Sequence, residues 1–197
     1  SAKQSFENVI ENRTFGLFTG NKKEKEKDYV FSTIQTMSLY FEEFEKNKDS
    51  SLALAIINVD DFKLYNQLYG IKEGDVCLQH IAAIIRSSVG DSGYIARHGG
   101  KEFAVLLPKY DLFSARNLVE SIAKQIFVMN NRRTDMKLKA VTVSAGISAA
   151  PYAARTVKEL MENVDLAVYH VKHSGKNGIQ VFDTMFRNTN QQGYTKD

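Results

Sequence analysis

From Leu52 to Val59 the chain is almost unbrokenly apolar, with no strict alternation of polar and apolar positions, which predicts a buried central strand. Phe62 to Leu68 reads as a short helix stopped by Gly70, and Gly74 to Ser88 as a second helix with Leu78, Ile81, Ile84 and Ile85 turned inward. Two short apolar runs, Tyr94 to Arg97 and Glu102 to Leu107, flank Gly99-Gly100 and predict a β-hairpin. Leu112 to Met129 carries Ala115, Leu118, Val119, Ile122 and Ile126 on one helical face. Leu138 to Ser148 alternates in part and reads as a strand. Val157 to His173 is helical, with Leu160, Met161, Val164, Val168 and Val171 inward, and Gly178 to Phe182 is a closing strand. Upstream, Lys and Glu alternate from Asn21 to Asp28. Val30, Ile34, Met37, Phe41 and Phe44 then recur at spacings of three and four, predicting a helix from about Glu24 to Lys46. Its outer face is either solvated or a link to a partner or an upstream domain.

The order is helix, strand, helix, helix, hairpin, helix, strand, helix, strand. Its centre is a β-α-β-β-α-β split motif, so the fold class is α/β of the α+β kind: a ferredoxin-like, mainly antiparallel sheet flanked by helices. In that arrangement the first strand and the hairpin's first strand are expected to be neighbours. The boundaries are a leading segment at 1–23, a domain at 24–186 and a polar tail at 187–197. Many unrelated functions use this architecture, so function has to be argued from a site.

Composition narrows the classes. The chain has 197 residues, enough for one domain that buries a core without cross-links. Lys and Arg number 26 and Asp and Glu 23, so the net charge of +3 gives no argument for bulk nucleic-acid binding. An RNA-recognition module shares the strand and helix order, but Glu102 to Leu107 lacks its aromatic and basic pattern. The lone Cys77 excludes an intrachain disulfide and a Cys-rich zinc site, which suits a reducing cytoplasm. No apolar run approaches the ~20 residues of a membrane span. The start at Ser1-Ala2, without methionine, reads as a cleaved-tag scar or an excised fragment, which leaves room for a membrane segment in the parent protein.

Two places carry candidate chemistry: the end of the first strand, Asn58-Val59-Asp60-Asp61-Phe62-Lys63, and the turn Gly99-Gly100-Lys101-Glu102-Phe103. Carboxylates converging from two such places suit a hard cation, and phosphoryl transfer needs one for positioning and charge neutralisation. A Gly pair lets backbone approach a phosphate. Taken alone, an Asp pair at a strand end is more often a helix cap and a Gly pair more often just a turn.

In combination they are more specific. Asn58-Val59-Asp60-Asp61-Phe62-Lys63-Leu64-Tyr65-Asn66-Gln67 is followed by Tyr69-Gly70-Ile71-Lys72-Glu73-Gly74-Asp75-Val76-Cys77-Leu78. Then come Arg97-His98-Gly99-Gly100-Lys101-Glu102-Phe103 and a block from Asp165 to Asn177. Across about Phe18 to Phe182 this sequence resembles a GGDEF domain, the catalytic domain of bacterial diguanylate cyclases. The resemblance implies a cytoplasmic role in cyclic di-GMP signalling, with GTP or another guanine nucleotide as ligand and Mg²⁺ as cofactor if the domain is active. It also implies a homodimer of facing domains and an upstream sensory domain or signalling partner. Within it, Asn66 and Asp75 match the residues that read guanine. Their amide and carboxylate suit that edge. Lys63, Lys172 and Lys176 match the basic residues that hold the triphosphate, and Gly99 and Gly100 the turn beside it.

The departures bear on activity. Asn58 stands where the family has a metal-binding Asp, and Lys101 where it has an acidic metal ligand essential for turnover; only Glu102 of the acidic pair remains. A variant metal site would have to use Glu102, Asp60, the Val59 carbonyl and the uncharged Asn58. Lys101 opposes it: like unit charges at ~4 Å and an effective dielectric of ~20 cost about 4 kcal/mol, doubled for a divalent ion. The first expectation is turnover lowered by orders of magnitude together with metal-free nucleotide binding, the Lys101 ammonium standing in the metal's place; the second is an active diguanylate cyclase that uses the variant metal site. A protein-interaction scaffold without nucleotide is the third. The family's inhibitory product site, R-x-x-D, falls on Gly90 and Gly93 and is absent.

Overall fold

The computed structural model describes residues 15–19, 22–23, 29–32, 46, 51–131 and 140–183. In chain order the elements are β1 (Phe15–Thr19), β2 (Lys22–Lys23), β3 (Tyr29–Ser32), β4 (Leu52–Val59), α1 (Phe62–Tyr69) and α2 (Ile71–Val89). A 3₁₀ turn at Gly90–Ser92 leads to β5 (Tyr94–Gly99), β6 (Glu102–Pro108), α3 (Leu112–Asn131), β7 (Val143–Ala150), α4 (Val157–His173) and β8 (Gly178–Val181).

The main sheet has the order β5-β6-β4-β7-β8. All its pairings are antiparallel except β7 with β8. The split motif is therefore present, with β8 added at one edge. One expectation is corrected: β4 lies beside β6, the hairpin's second strand, while β5 is at the edge. The two-residue turn between β5 and β6 brings the second strand back along the first, and β4 takes its free side. Asn58 thereby faces Glu102 on one neighbour and Ser144 on the other.

β4 is apolar at nearly every position because both its faces are covered. Ala53, Ala55, Ile57 and Val59 meet Leu78, Ile81 and Ile85 of α2 and Val119, Ile122 and Ile126 of α3. Leu52, Leu54 and Ile56 meet Leu160, Val164 and Val168 of α4. Each fully buried aliphatic side chain of this kind contributes about 1.5–3 kcal/mol. Asn58 follows Ile56 on the α4 face, so the polar end of β4 opens toward the C-terminus of that helix. No described helix is long and apolar enough to cross a membrane.

Three boundaries differ from expectation. Within the stretch predicted as a helix from Glu24 to Lys46, Tyr29–Ser32 is a strand paired in parallel with Phe15–Phe18. Tyr-Val-Phe is a strong β-former, and that preference prevails over the stripe starting at Val30. Lys46 is helical and the rest of that prediction lies outside the described residues. α2 starts at Ile71 rather than near Gly74, because Gly70 (φ 89°, ψ 158°) alone makes the break between helices. Asp75 thus lies inside the helix and is no cap. β7 begins at Val143 rather than Leu138, and Thr142 just before it bonds to Asp60 beyond the end of β4 instead.

α4 runs over the predicted residues, Val157–His173, and its start is chemically marked. The Thr156 hydroxyl accepts from the Glu159 amide at 3.1 Å, and the Glu159 carboxylate accepts from the Arg155 amide at 2.7 Å. Thr156→Ala is expected to cost about 1 kcal/mol, read as a lower urea midpoint with an unchanged slope.

Candidate functional site

The end of β4 and the β5–β6 turn meet as the sequence suggests, and α4 supplies a third wall. Glu102 opens β6 opposite Asn58. The Asn58 side-chain amide donates to Glu102 Oε1, and Lys172 Nζ, in the last turn of α4, lies 3.7 Å from the same oxygen. Asn58 is 1% exposed and its Oδ1 has no hydrogen-bond partner. Glu102 and Lys172 are each about one-third exposed, so this pair faces a water-accessible opening. Lys101 is held by its backbone, whose carbonyl accepts from the Val59 amide at 3.0 Å. The Val59 side chain points into the core on the opposite face.

The turn is built by Arg97. Its guanidinium donates to the carbonyls of Gly99 and Gly100. Burial holds the Arg97 group below its ordinary pKa, and the Asp75 carboxylate opposes that shift. Asp75 is thereby linked electrostatically to the turn. Neither Gly99 nor Gly100 has a positive φ, and a Cβ at Gly100 would meet nothing within 4 Å. The chain's own packing does not require glycine at that position.

Asn66, on α1, lies against α2. Its Oδ1 is buried and has no partner, and a Cβ on Gly74 would fall 1.8 Å from it. Gly74 is what lets the Asn66 amide sit there. Lys63, on the first turn of α1, is exposed.

The Asp pair does something sequence reasoning did not foresee. Asp60 is 8% exposed and its carboxylate accepts three hydrogen bonds, from Thr142 Oγ1 (2.7 Å), Ser144 Oγ (2.6 Å) and the Asn177 amide (3.0 Å). Its oxygens hold the ends of β4 and β7 to the α4–β8 turn. Asp61 occupies the N-cap position of α1 but makes no side-chain cap bond there. Instead Lys176 Nζ donates to Asp61 Oδ1 at 2.6 Å. This hydrogen bond first, and the carboxylate's charge second, raise the Lys176 ammonium above its ordinary pKa. Thr142 and Ser144 carry a signal in retrospect: polar residues two apart at the start of an otherwise apolar strand share a face.

The structure thus joins Asn58, Glu102 and Lys172 in one cluster and Asp61 and Lys176 in a second, while Asp75 acts on Arg97 through its charge. Gly90 is set by its backbone, with φ 55° and its carbonyl accepting from the Arg86 guanidinium, and Gly93 by packing, since a Cβ there would lie 2.5 Å from the Leu106 carbonyl.

Comparison with known proteins places this arrangement. The profile of the GGDEF domain of diguanylate cyclases matches residues 35–178. Diguanylate cyclase A of Treponema denticola is 32% identical over 155 residues, covering 79% of this chain and 41% of that protein. The bifunctional diguanylate cyclase/cyclic di-GMP phosphodiesterase MucR of Pseudomonas aeruginosa is 35% identical over 145 residues, covering 73% of this chain and 21% of that protein. The chain therefore spans less than half the length of either relative. Among solved structures, the GGDEF domain of the P. aeruginosa protein YfiN (or TpbB) superposes with a TM-score of 0.69 at 28% identity, covering 76% of this chain and 92% of that one. The GGDEF domain of DgcB from Caulobacter crescentus, solved with c-di-GMP, shares the fold with a TM-score of 0.68 at 23% identity, covering 81% and 97%.

Proposed function

Because the chain belongs to the GGDEF domain family of diguanylate cyclases, we propose that it is a catalytically impaired member that binds a guanine nucleotide as a regulatory module in cyclic di-GMP signalling. The observation that carries this reading is the state of Glu102. The last carboxylate of the signature is engaged by an amide N–H from Asn58 and by the Lys172 ammonium, with Lys101 beside it in sequence.

Diguanylate cyclases of this family generally use Mg²⁺, an ion that favours octahedral oxygen ligands and strong carboxylates. The donors here do not fit it well. Asn58 offers a neutral oxygen, Glu102 is already balanced by an ammonium, and Asp60 is spent on Thr142, Ser144 and Asn177. Among the described residues, no group of three or more His, Cys, Asp or Glu is arranged to hold a metal ion. No chemical step through a metal is therefore assigned.

What remains suits an anion. Lys63, Lys101, Lys172 and Lys176 supply ammonium groups, which bind phosphate as point charges. The open space at Gly100 supports close approach of a phosphate to the turn. The unpartnered Asn66 Oδ1 and Asp75, whose charge acts on Arg97, support guanine reading. One observation favours the alternative, an active cyclase with a variant metal site: Asn58 Oδ1 is buried and unpartnered, an oxygen available to a cation.

Calorimetric titration with a non-hydrolysable GTP analogue, with and without Mg²⁺ and against ATP, tests the proposal. Guanine-selective binding that persists in EDTA, with no cyclic di-GMP formed from GTP, is the expected result. Binding and product formation only with Mg²⁺ would establish the cyclase. Absence of binding would leave a protein-interaction scaffold.

A further inference from the structure

We propose that Asp61 is a charge gate on the phosphate side of the site: it occupies Lys176 in the free protein and opposes ligands in proportion to the phosphate charge they carry. This rests on the nucleotide-binding reading above and specifies how that site selects among nucleotides.

The argument begins with the backbone. Asp61 is in the left-handed region (φ 48°, ψ 26°), which among residues with a side chain Asp and Asn tolerate best. An Asp before a helix ordinarily accepts from the helix's first free N–H groups. Asp61 does not, and its carboxylate reaches Lys176, 115 residues along the chain, at 2.6 Å. The far side of the contact is equally constrained. Gly175 (φ 111°), Lys176 (φ 64°) and Asn177 (φ 48°) form a run of left-handed residues, and the Asn177 amide is tied to Asp60. The two backbones are pinned to each other through neighbouring residues, so the freedom left at the contact is in two exposed side chains.

An exposed ion pair adds little to stability, so it opens readily to a better partner. A polyphosphate is one, because its several anionic oxygens outcompete a single carboxylate for the ammonium. The displaced carboxylate can turn only about its own short side chain, since its backbone is fixed. It stays beside the bound phosphates as an uncompensated like charge, and the penalty grows with the charge of the ligand. Uncharged guanosine pays none. Lys172 does not form the same device, because its partner Glu102 is also held by Asn58.

The test is calorimetric titration of the whole chain, Asp61→Asn and Glu120→Gln in Mg²⁺-free buffer, with guanosine, GDP, GTP and ATP. Asn keeps the shape and the left-handed backbone while removing the charge. Glu120, paired with Arg116 on α3, removes the same charge elsewhere. Asp61→Asn is expected to bind GTP roughly three- to tenfold more tightly than the parent, GDP by a smaller factor and guanosine unchanged, with Glu120→Gln without effect. Equal factors for guanosine and GTP, no change at all, or the same gain from Glu120→Gln would overturn the gate. A gain shared equally by ATP and GTP would keep the gate and refute the guanine reading. No nucleotide binding by either protein would overturn both.

Discussion

Exchanging Lys101 for glutamate is expected to weaken GTP binding in EDTA by roughly 30-fold and to make what remains depend on Mg²⁺. The residue is placed for such an effect. It lies in the turn between β5 and β6, and its carbonyl is fixed to the Val59 amide at the end of β4, so its Cα cannot drift from the site. The substitution changes the local charge by two units. A raw Coulomb figure of about 4 kcal/mol per unit pair falls to about 2 kcal/mol overall once the water-accessible setting is allowed for, and that corresponds to the stated factor. The new carboxylate would also stand beside Glu102 and provide the second acid that a hard cation needs. Titrations of the parent and Lys101→Glu, with EDTA and with Mg²⁺, check both halves. Equal binding by the two proteins in EDTA would show that the ammonium is not near the phosphates. The Mg²⁺ response reports separately on the metal.

The second large effect concerns stability. Gly146→Ala is expected to destabilise the domain by about 3 kcal/mol. Gly146 lies on β7 opposite Ile56, on the face that α4 covers. A Cβ there would come within 2.4 Å of the Val164 carbonyl and 2.8 Å of the Val168 amide. Those are backbone atoms in the middle of α4, so relief requires the whole helix to lift from the sheet. Overpacking of this kind typically costs 1–3 kcal/mol, and the rigidity of the obstacle places this site at the upper end. Against a total of about 5–15 kcal/mol for a domain, the shift should be plain in a urea titration followed by circular dichroism. An unchanged midpoint would mean that α4 can slide without loss. Because α4 carries Lys172, partial lifting should also weaken nucleotide binding.

The central strand and the later helices were legible because burial leaves an unambiguous pattern. β4 reads as apolar on both faces since helices cover both, and α4 shows its inward stripe from Leu160 to Val171. The early stretch was misleading at Tyr29–Ser32: spacing over 24–46 favours a helix, but spacing does not register that Tyr29 to Phe31 prefers an extended backbone. Strand adjacency was misjudged for a different reason. A hairpin reveals that two strands pair, not which of them turns its free edge to a third. The site divides along the same line. Glu102 and Asn58 were placed together by motif, and they face each other in register. The work of Asp60 and Asp61 was hidden, because their partners Thr142, Ser144, Lys176 and Asn177 are remote in sequence. Nor does the sequence reveal that Gly74 is small for the sake of Asn66.

The place of β4 between β6 and β7 also governs how the domain must be assembled as it is made. Asn58 waits for Glu102, 44 residues downstream, and Val59 for Val143, a further 40 beyond that distance. At about 5–20 residues per second, the second interval means that β4 spends roughly 4–17 s after its own synthesis without its β7 partner. During that time an eight-residue strand, apolar on both sides, has a free edge of unpaired amides and carbonyls. The strand that later anchors the whole sheet is thus, on the ribosome, the segment most in need of shielding from other nascent chains.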